Sequence, residues 1–165
     1  MKQEKKLKSS LVKCTSLYGK KCLIDKKKIR NRVSVYAVII DNGKILLTNS
    51  RNTNKLFLPG GEVENDETID QALKRELREE TGIKIKIKHF LNFKEVFFYY
   101  DPWDEGYHNF SFFYLCKPIT KKLTEKYQVE FDESEKPVWK KLSELKKKDF
   151  QFPTYDIIKK FLIVK

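Results

Sequence analysis

The chain has no run of about eighteen apolar residues, so no helical membrane span is expected from it. Its first residues, MKQEKKLKSSLVKC, hold no apolar core of signal-peptide length. These absences make a cytoplasmic protein the default expectation. Cysteine is scarce. Cys14, Cys22 and Cys116 are odd in number and widely spaced, with no CxxC pair. That excludes a disulfide framework and a cysteine zinc site, and leaves buried or idle thiols. Internal repeats are absent, as is any shift in composition that would mark a second domain. Arginine is short as well: 30 of the 35 basic residues are lysine.

What is abundant is positive charge. The net charge is +12, and residues 1–32 hold twelve Lys or Arg against Glu4 and Asp25. Such a segment attracts RNA, polyphosphate or an acidic partner. The lysine bias argues against RNA, because nucleic-acid sites favour arginine with interleaved aromatics. The expected organisation is a basic extension over 1–30, with short strands around Leu11–Leu17 or Lys21–Ile24, followed by one domain over 31–165. A length of 165 residues suffices for a single real core.

Along the domain, Val33–Ile40 is β-rich and Asp41-Asn42-Gly43 is a hairpin turn returning through Lys44–Thr48. A polar loop leads to Phe57-Leu58-Pro59-Gly60-Gly61. A helix is expected from about Glu67 to Thr81, capped by Asp66 or Thr68 and closed by Gly82 in the left-handed position. Ile83, Ile85 and Ile87 alternate with lysines as a half-buried strand. Lys94–Tyr100 and Asn109–Cys116 form an aromatic hairpin around the loop DPWDEGYH. A charged connection over 117–132 precedes a short strand at Val138-Trp139. Pro153–Val164 is a closing helix with Ile157, Ile158, Phe161 and Leu162 inward. Mixed strands with one helix between them and one at the end suit an α/β sandwich, and leave α+β open.

The most informative stretch is GEVENDETIDQALKRELREETGI, residues 61–83. At about 100° per residue, Glu76, Glu79 and Glu80 fall within a sector of roughly 100°. Ile69, Leu73 and Leu77 form an adjoining apolar stripe, so the helix docks on a core and carries its acids at the edge of that contact. Two carboxylates about 6 Å apart repel by roughly 3 kcal/mol at an effective dielectric of 20. On an exposed helix the cost falls to about 0.2–0.5 kcal/mol, so charge alone does not demand a cation. The full spacing is more specific: Gly61, Glu67, Arg75, Glu76, Leu77, Glu79, Glu80, Gly82 and Ile83.

This spacing resembles the signature of the Nudix hydrolases, without departure. The resemblance extends over roughly residues 32–163. It implies an α/β/α sandwich with a mixed β-sheet, and an enzyme that cleaves the diphosphate linkage of a nucleoside diphosphate derivative by water attack. The substrate would be a nucleoside triphosphate or a dinucleoside polyphosphate. It also implies Mg²⁺, or Mn²⁺ in its place, held by Glu76, Glu79 and Glu80 with the carbonyl of Gly61. Glu79 or Glu80 would handle the proton of the attacking water and Arg75 would orient the carboxylates. Glu67 would hold Arg75 or the loop, and Glu62 is a further ligand candidate; capping and loop roles are the alternative for both.

The family often adds an acid from outside the box. Glu130, Asp132, Glu133 and Glu135 are candidates, with Glu133 first. Tyr99 and Tyr100 lie where the dinucleoside polyphosphate subfamily carries a base-stacking tyrosine, and the alternative is core packing in VFFYY. Phe57 lines the pocket or packs. Trp103, Tyr107 and His108 sit in a loop that would serve as a lid, or hydrogen-bond locally. The proline marker of the ADP-ribose subfamily is missing from its place, and Pro102 falls late. RNA 5′-end pyrophosphate removal and a non-hydrolytic nucleotide- or RNA-binding sensor are the alternatives. Intact Glu76, Glu79 and Glu80 argue against the sensor, and nothing in the spacing supports an isomerase. Monomer and homodimer are both compatible with the sequence.

Overall fold

Strand β3, Ile29–Asp41, is buried on both faces over its second half, and that decides the architecture. Val35, Ala37 and Ile39 point one way, while Val38 points the other with Tyr36 and Ile40 beside it. A strand buried twice needs cover on each side. The computed structural model describes residues 10–128 and 134–162. The chain folds as two compact units: Met1–Val33 with Lys94–Ser111, and Ser34–Phe93 with Phe112–Lys165.

The second unit carries the box. β3 turns at Asn42 (φ 48°) and Gly43 (φ 72°) into β4, Lys44–Ser50. Two successive positive-φ residues match the hairpin turn expected from Asp-Asn-Gly. β4 also pairs with β5, Leu56–Phe57, and with β9, Ser134–Lys141. β6, Gly60–Glu62, lies antiparallel on β3. Helix α1, Ile69–Thr81, buries Ala72, Leu73 and Leu77 against Val35, Ala37, Ile39, Leu46 and Cys116. Helix α2, Thr154–Leu162, buries Ile157 and Ile158 with Val38, Ile45, Leu47, Leu58 and Phe113. Leu46 serves the first core and its neighbours Ile45 and Leu47 the second, as strand alternation requires. The fold is therefore an α/β/α sandwich.

The first unit is built on β1, Leu11–Ser16, and β2, Lys21–Asp25, an antiparallel pair. β1 pairs in parallel with the end of β7, Ile85–Tyr100, which makes the sheet mixed. β8, Glu105–Pro118, follows. Leu17, Tyr100 and Tyr107 form a small buried cluster. Asp101 Oδ2 accepts the Leu17 N–H at 2.9 Å, and Arg30 and Arg32 each lie 5.3 Å from the Tyr107 ring centre. The basic lead-in thus contains both short strands.

Several boundaries differ from expectation. The strands expected at Ile83–Ile87 and Lys94–Tyr100 are one strand, β7, with no Gly or Pro in the intervening chain to break it. The loop shrinks to Asp101–Asp104, since Glu105–His108 pair as strand. His108 is not in a lid: its ring stacks on Phe97 at 4.3 Å and it shares a 2.6 Å hydrogen bond with Glu95. β9 starts at Ser134, ahead of Val138. Cys14 and Cys116 are buried, and burial pushes the Cys116 thiol up to about 12, so it is inert. Among the described residues no helix is long and apolar enough to cross a membrane.

Candidate active site

Two consecutive glycines create the site, each for a different reason. Gly60 sits at φ 136°, and a Cβ there would lie 2.1 Å from the Val35 carbonyl oxygen. No other residue lets β6 lie this close on β3. Gly61 has an ordinary φ, but its missing Cβ leaves room for the Glu76 carboxylate. A Cβ would stand 2.5 Å from Glu76 Oε1. The helix start is fixed by Thr68, whose hydroxyl accepts the Gln71 N–H while Gln71 reaches back to the Thr68 N–H. Thr68 rather than Asp66 is the cap. Gly82 ends the helix at φ 75°.

From this helix Arg75 reaches into the acids. Its Nη2 donates to Glu67 Oε1 at 2.6 Å and its Nε to Glu67 Oε2 at 3.1 Å, a two-pronged pair. Nη1 donates to Glu76 Oε1 at 3.0 Å and Glu79 Oε2 at 3.1 Å. Nη2 also reaches the Glu62 carbonyl at 3.1 Å. One guanidinium therefore ties three carboxylates to the loop after Gly61. The Arg75 hydrogen bond holds the Glu67 carboxyl below its ordinary range, and Glu67 in turn raises the Arg75 pKa well above its own. Glu80 turns to the glycines: its Oε2 accepts the Gly60 N–H at 2.8 Å.

The structure thus brings together Gly61, Glu67, Arg75, Glu76, Glu79 and Glu80. Gly60 was not among the residues the sequence singled out; its Pro-Gly-Gly setting was the available signal. Phe57 lies half-buried in β5, paired with Thr48. Tyr99 and Tyr100 belong to the first unit. Tyr100 is packed with Leu17, Tyr107 and Trp103. The Tyr99 hydroxyl donates to Asp104 at 2.7 Å, which pushes its pKa up to about 12. Glu130, Asp132 and Glu133 lie outside the described residues. Glu135 pairs through β9 with Asn49.

A model of the NUDIX domain matches residues 30–161. The chain belongs to the Nudix family. It is 36% identical over 89 residues to an ADP-ribose pyrophosphatase of Methanocaldococcus jannaschii, covering 46% of this chain and 53% of that one. It is 36% identical over 69 residues to the 8-oxo-dGTP diphosphatase of Escherichia coli, covering 39% and 52%. A MutT NUDIX hydrolase structure from Burkholderia pseudomallei superposes with a TM-score of 0.62 at 25% identity, over 79% of this chain and 97% of that one. The alignments span about half the length of the curated relatives.

Nudix hydrolases in general need divalent metal ions. The side chains this site gathers that could hold a metal are carboxylates, hard oxygen donors of the kind that suit Mg²⁺ or Mn²⁺ rather than a thiophilic ion. Gly61 supports that fit, because the space left by its missing side chain keeps the Glu76 carboxylate against the backbone. Among the described residues no three acidic, histidine or cysteine side chains converge as a finished ligand group. Glu76 and Glu79 share Arg75 while Glu80 holds the Gly60 N–H.

Proposed function

We propose that this Nudix chain is a Mg²⁺-dependent pyrophosphohydrolase, with Mn²⁺ able to substitute, acting on a nucleoside triphosphate or a dinucleoside polyphosphate. The observation that carries the reading is the Arg75 clamp, which gathers Glu67, Glu76 and Glu79 beside Gly61. Bound there by Glu76, Glu79, Glu80 and the Gly61 carbonyl, the cation would offset the charge of the diphosphate and acidify water. The chain's own residues do the rest. Arg75 fixes Glu76 and Glu79 in one rotamer pair, so their orientation is set before substrate arrives. Glu79 or Glu80 takes the proton of the attacking water. Water adds to one phosphorus, the bridging P–O bond breaks, and its electron pair leaves on the second phosphate. Glu133 is the acid proposed to assist from outside the box. Phe57 is the proposed substrate contact of this unit; Tyr99 and Tyr100, expected as further contacts, belong to the other unit, where Tyr100 is packed.

A panel of nucleotides with Mg²⁺ tests this, with phosphate, pyrophosphate and nucleoside monophosphate as readouts. The product identifies the bond cut. Glu79→Gln and Glu80→Gln are expected to stay folded and to lower turnover by at least about 10²-fold. Full activity in both would remove the proposed site. A preference for 5′-triphosphorylated RNA over free nucleotides, with a steep salt dependence, would favour the RNA-processing alternative.

A further inference from the structure

The second unit also holds a cavity of about 720 Å³ that includes no residue of the box. That is room enough for a small ligand. Its walls come from the β4–β5 connection, from β9 and from the segment around Glu144–Asp149. Val138 and Leu145 on its wall pack with the core of helix α2, whereas the box helix serves the other core. Four lysines line it: Lys55, Lys136, Lys140 and Lys148. Two acids, Glu144 and Asp149, also line it, but each is engaged by a residue outside the cavity. Glu144 pairs with Lys141 Nζ at 3.0 Å, and Asp149 Oδ2 accepts the Lys146 N–H at 2.8 Å. Among the described residues Lys55, Lys140 and Lys148 form no ion pair. Among the described lining residues four lysines stand against two acids.

The backbone is bent to build this wall. The register of β4 and β9 shifts between Leu47 and Asn49, and Lys136 on the bulged strand adopts φ 51°. Asn54, across the cavity lining, has φ 53°. A lysine in the left-handed region is strained, and bulges commonly re-aim a side chain next to a site. Among the described residues no aromatic ring lines the cavity to stack a base. Primary ammonium groups on flexible stems suit phosphate as point charges.

We infer that this cavity is a second anion site, which binds the phosphate chain of an inorganic or nucleotide polyphosphate by charge and without reading the base. Isothermal titration of the full-length protein with inorganic tripolyphosphate, at low salt and without added divalent metal, tests it. The double variant Lys140→Gln/Lys148→Gln is expected to bind at least about tenfold more weakly, and the wild-type affinity to fall as salt rises. Glu79→Gln/Glu80→Gln is expected to keep the wild-type affinity, which separates this site from the box. Because the lysines are exposed, the groove variant should melt within about 2 °C of wild type. If it does not fold, Lys55→Gln is the substitute, with a smaller loss expected. A nucleoside triphosphate should lose affinity in parallel with tripolyphosphate. Unchanged affinity in the groove variant, loss in the box variant instead, or a loss confined to the nucleotide would each overturn the inference.

Discussion

Gly60 and Gly61 are neighbours with opposite sensitivities. At Gly60 the obstacle to a side chain is the Val35 backbone, which cannot step aside, and φ is 136°. Gly60→Ala is expected to cost several kcal/mol, at the upper end for a single substitution. At Gly61 the obstacle is the end of the Glu76 side chain, which can swing away. Gly61→Ala is therefore expected to cost under about 1 kcal/mol in urea unfolding and yet lower hydrolysis at least about tenfold, by moving a carboxylate off its position. Equal losses in both measurements would show that Gly61 has only a backbone role. Glu67 gives a pH test. Its pKa is lowered in the fold, first by the Arg75 hydrogen bond, so its contribution is complete above the ordinary carboxylate range. It is lost as pH falls through the depressed value. The stability gap between wild type and Glu67→Gln should thus be full at pH 7 and shrink as pH falls below the ordinary carboxylate range, as read from urea midpoints.

At the scale of the element, helix α1 has separable ends and middle. Its N-terminus is held by the Thr68–Gln71 capping box, on the exposed side of the turn. Thr68→Ala is expected to cost about 1 kcal/mol and to leave the KM and kcat of the box nearly unchanged, because Arg75, Glu76, Glu79 and Glu80 lie two or more turns further on. A large fall in kcat at unchanged stability would tie the cap to the chemistry. Much of this helix was legible in the sequence. The stripe of Leu73 and Leu77, the left-handed Gly82 and the grouping of Glu76, Glu79 and Glu80 all follow from helical period and spacing. The strand ends were less legible. No Gly or Pro lies between Ile87 and Lys94, yet nothing in local pattern reveals that sheet pairing carries β7 through sixteen residues.

For the whole chain, the basic front is the part that changed character most. Charge alone described it as a lead-in, whereas β1 and β2 form a hairpin whose strand β1 pairs with β7. Deleting residues 10–28 should uncover Tyr100 and Tyr107, which Leu17 covers in the first unit. The expected result is loss of hydrogen-exchange protection at those two amides, whatever happens to charge-driven binding. Retained protection would mean that the small cluster stands without the hairpin.

The amino-acid order by itself determined the family, the box helix and the chemical character of its acids, because helical geometry and fixed spacing are local. It also set the type of the Asn42-Gly43 turn and the inward faces of the strands. Only the tertiary structure decided which acids Arg75 holds, since Glu67 comes from the helix approach and the carbonyl of Glu62 from β6. It likewise decided that Glu80 turns to Gly60, that Tyr100 is packed away, and that lysines far apart in the sequence line one cavity. Each of these depends on distances between separate segments, which β-pairing and core packing set and local sequence does not encode.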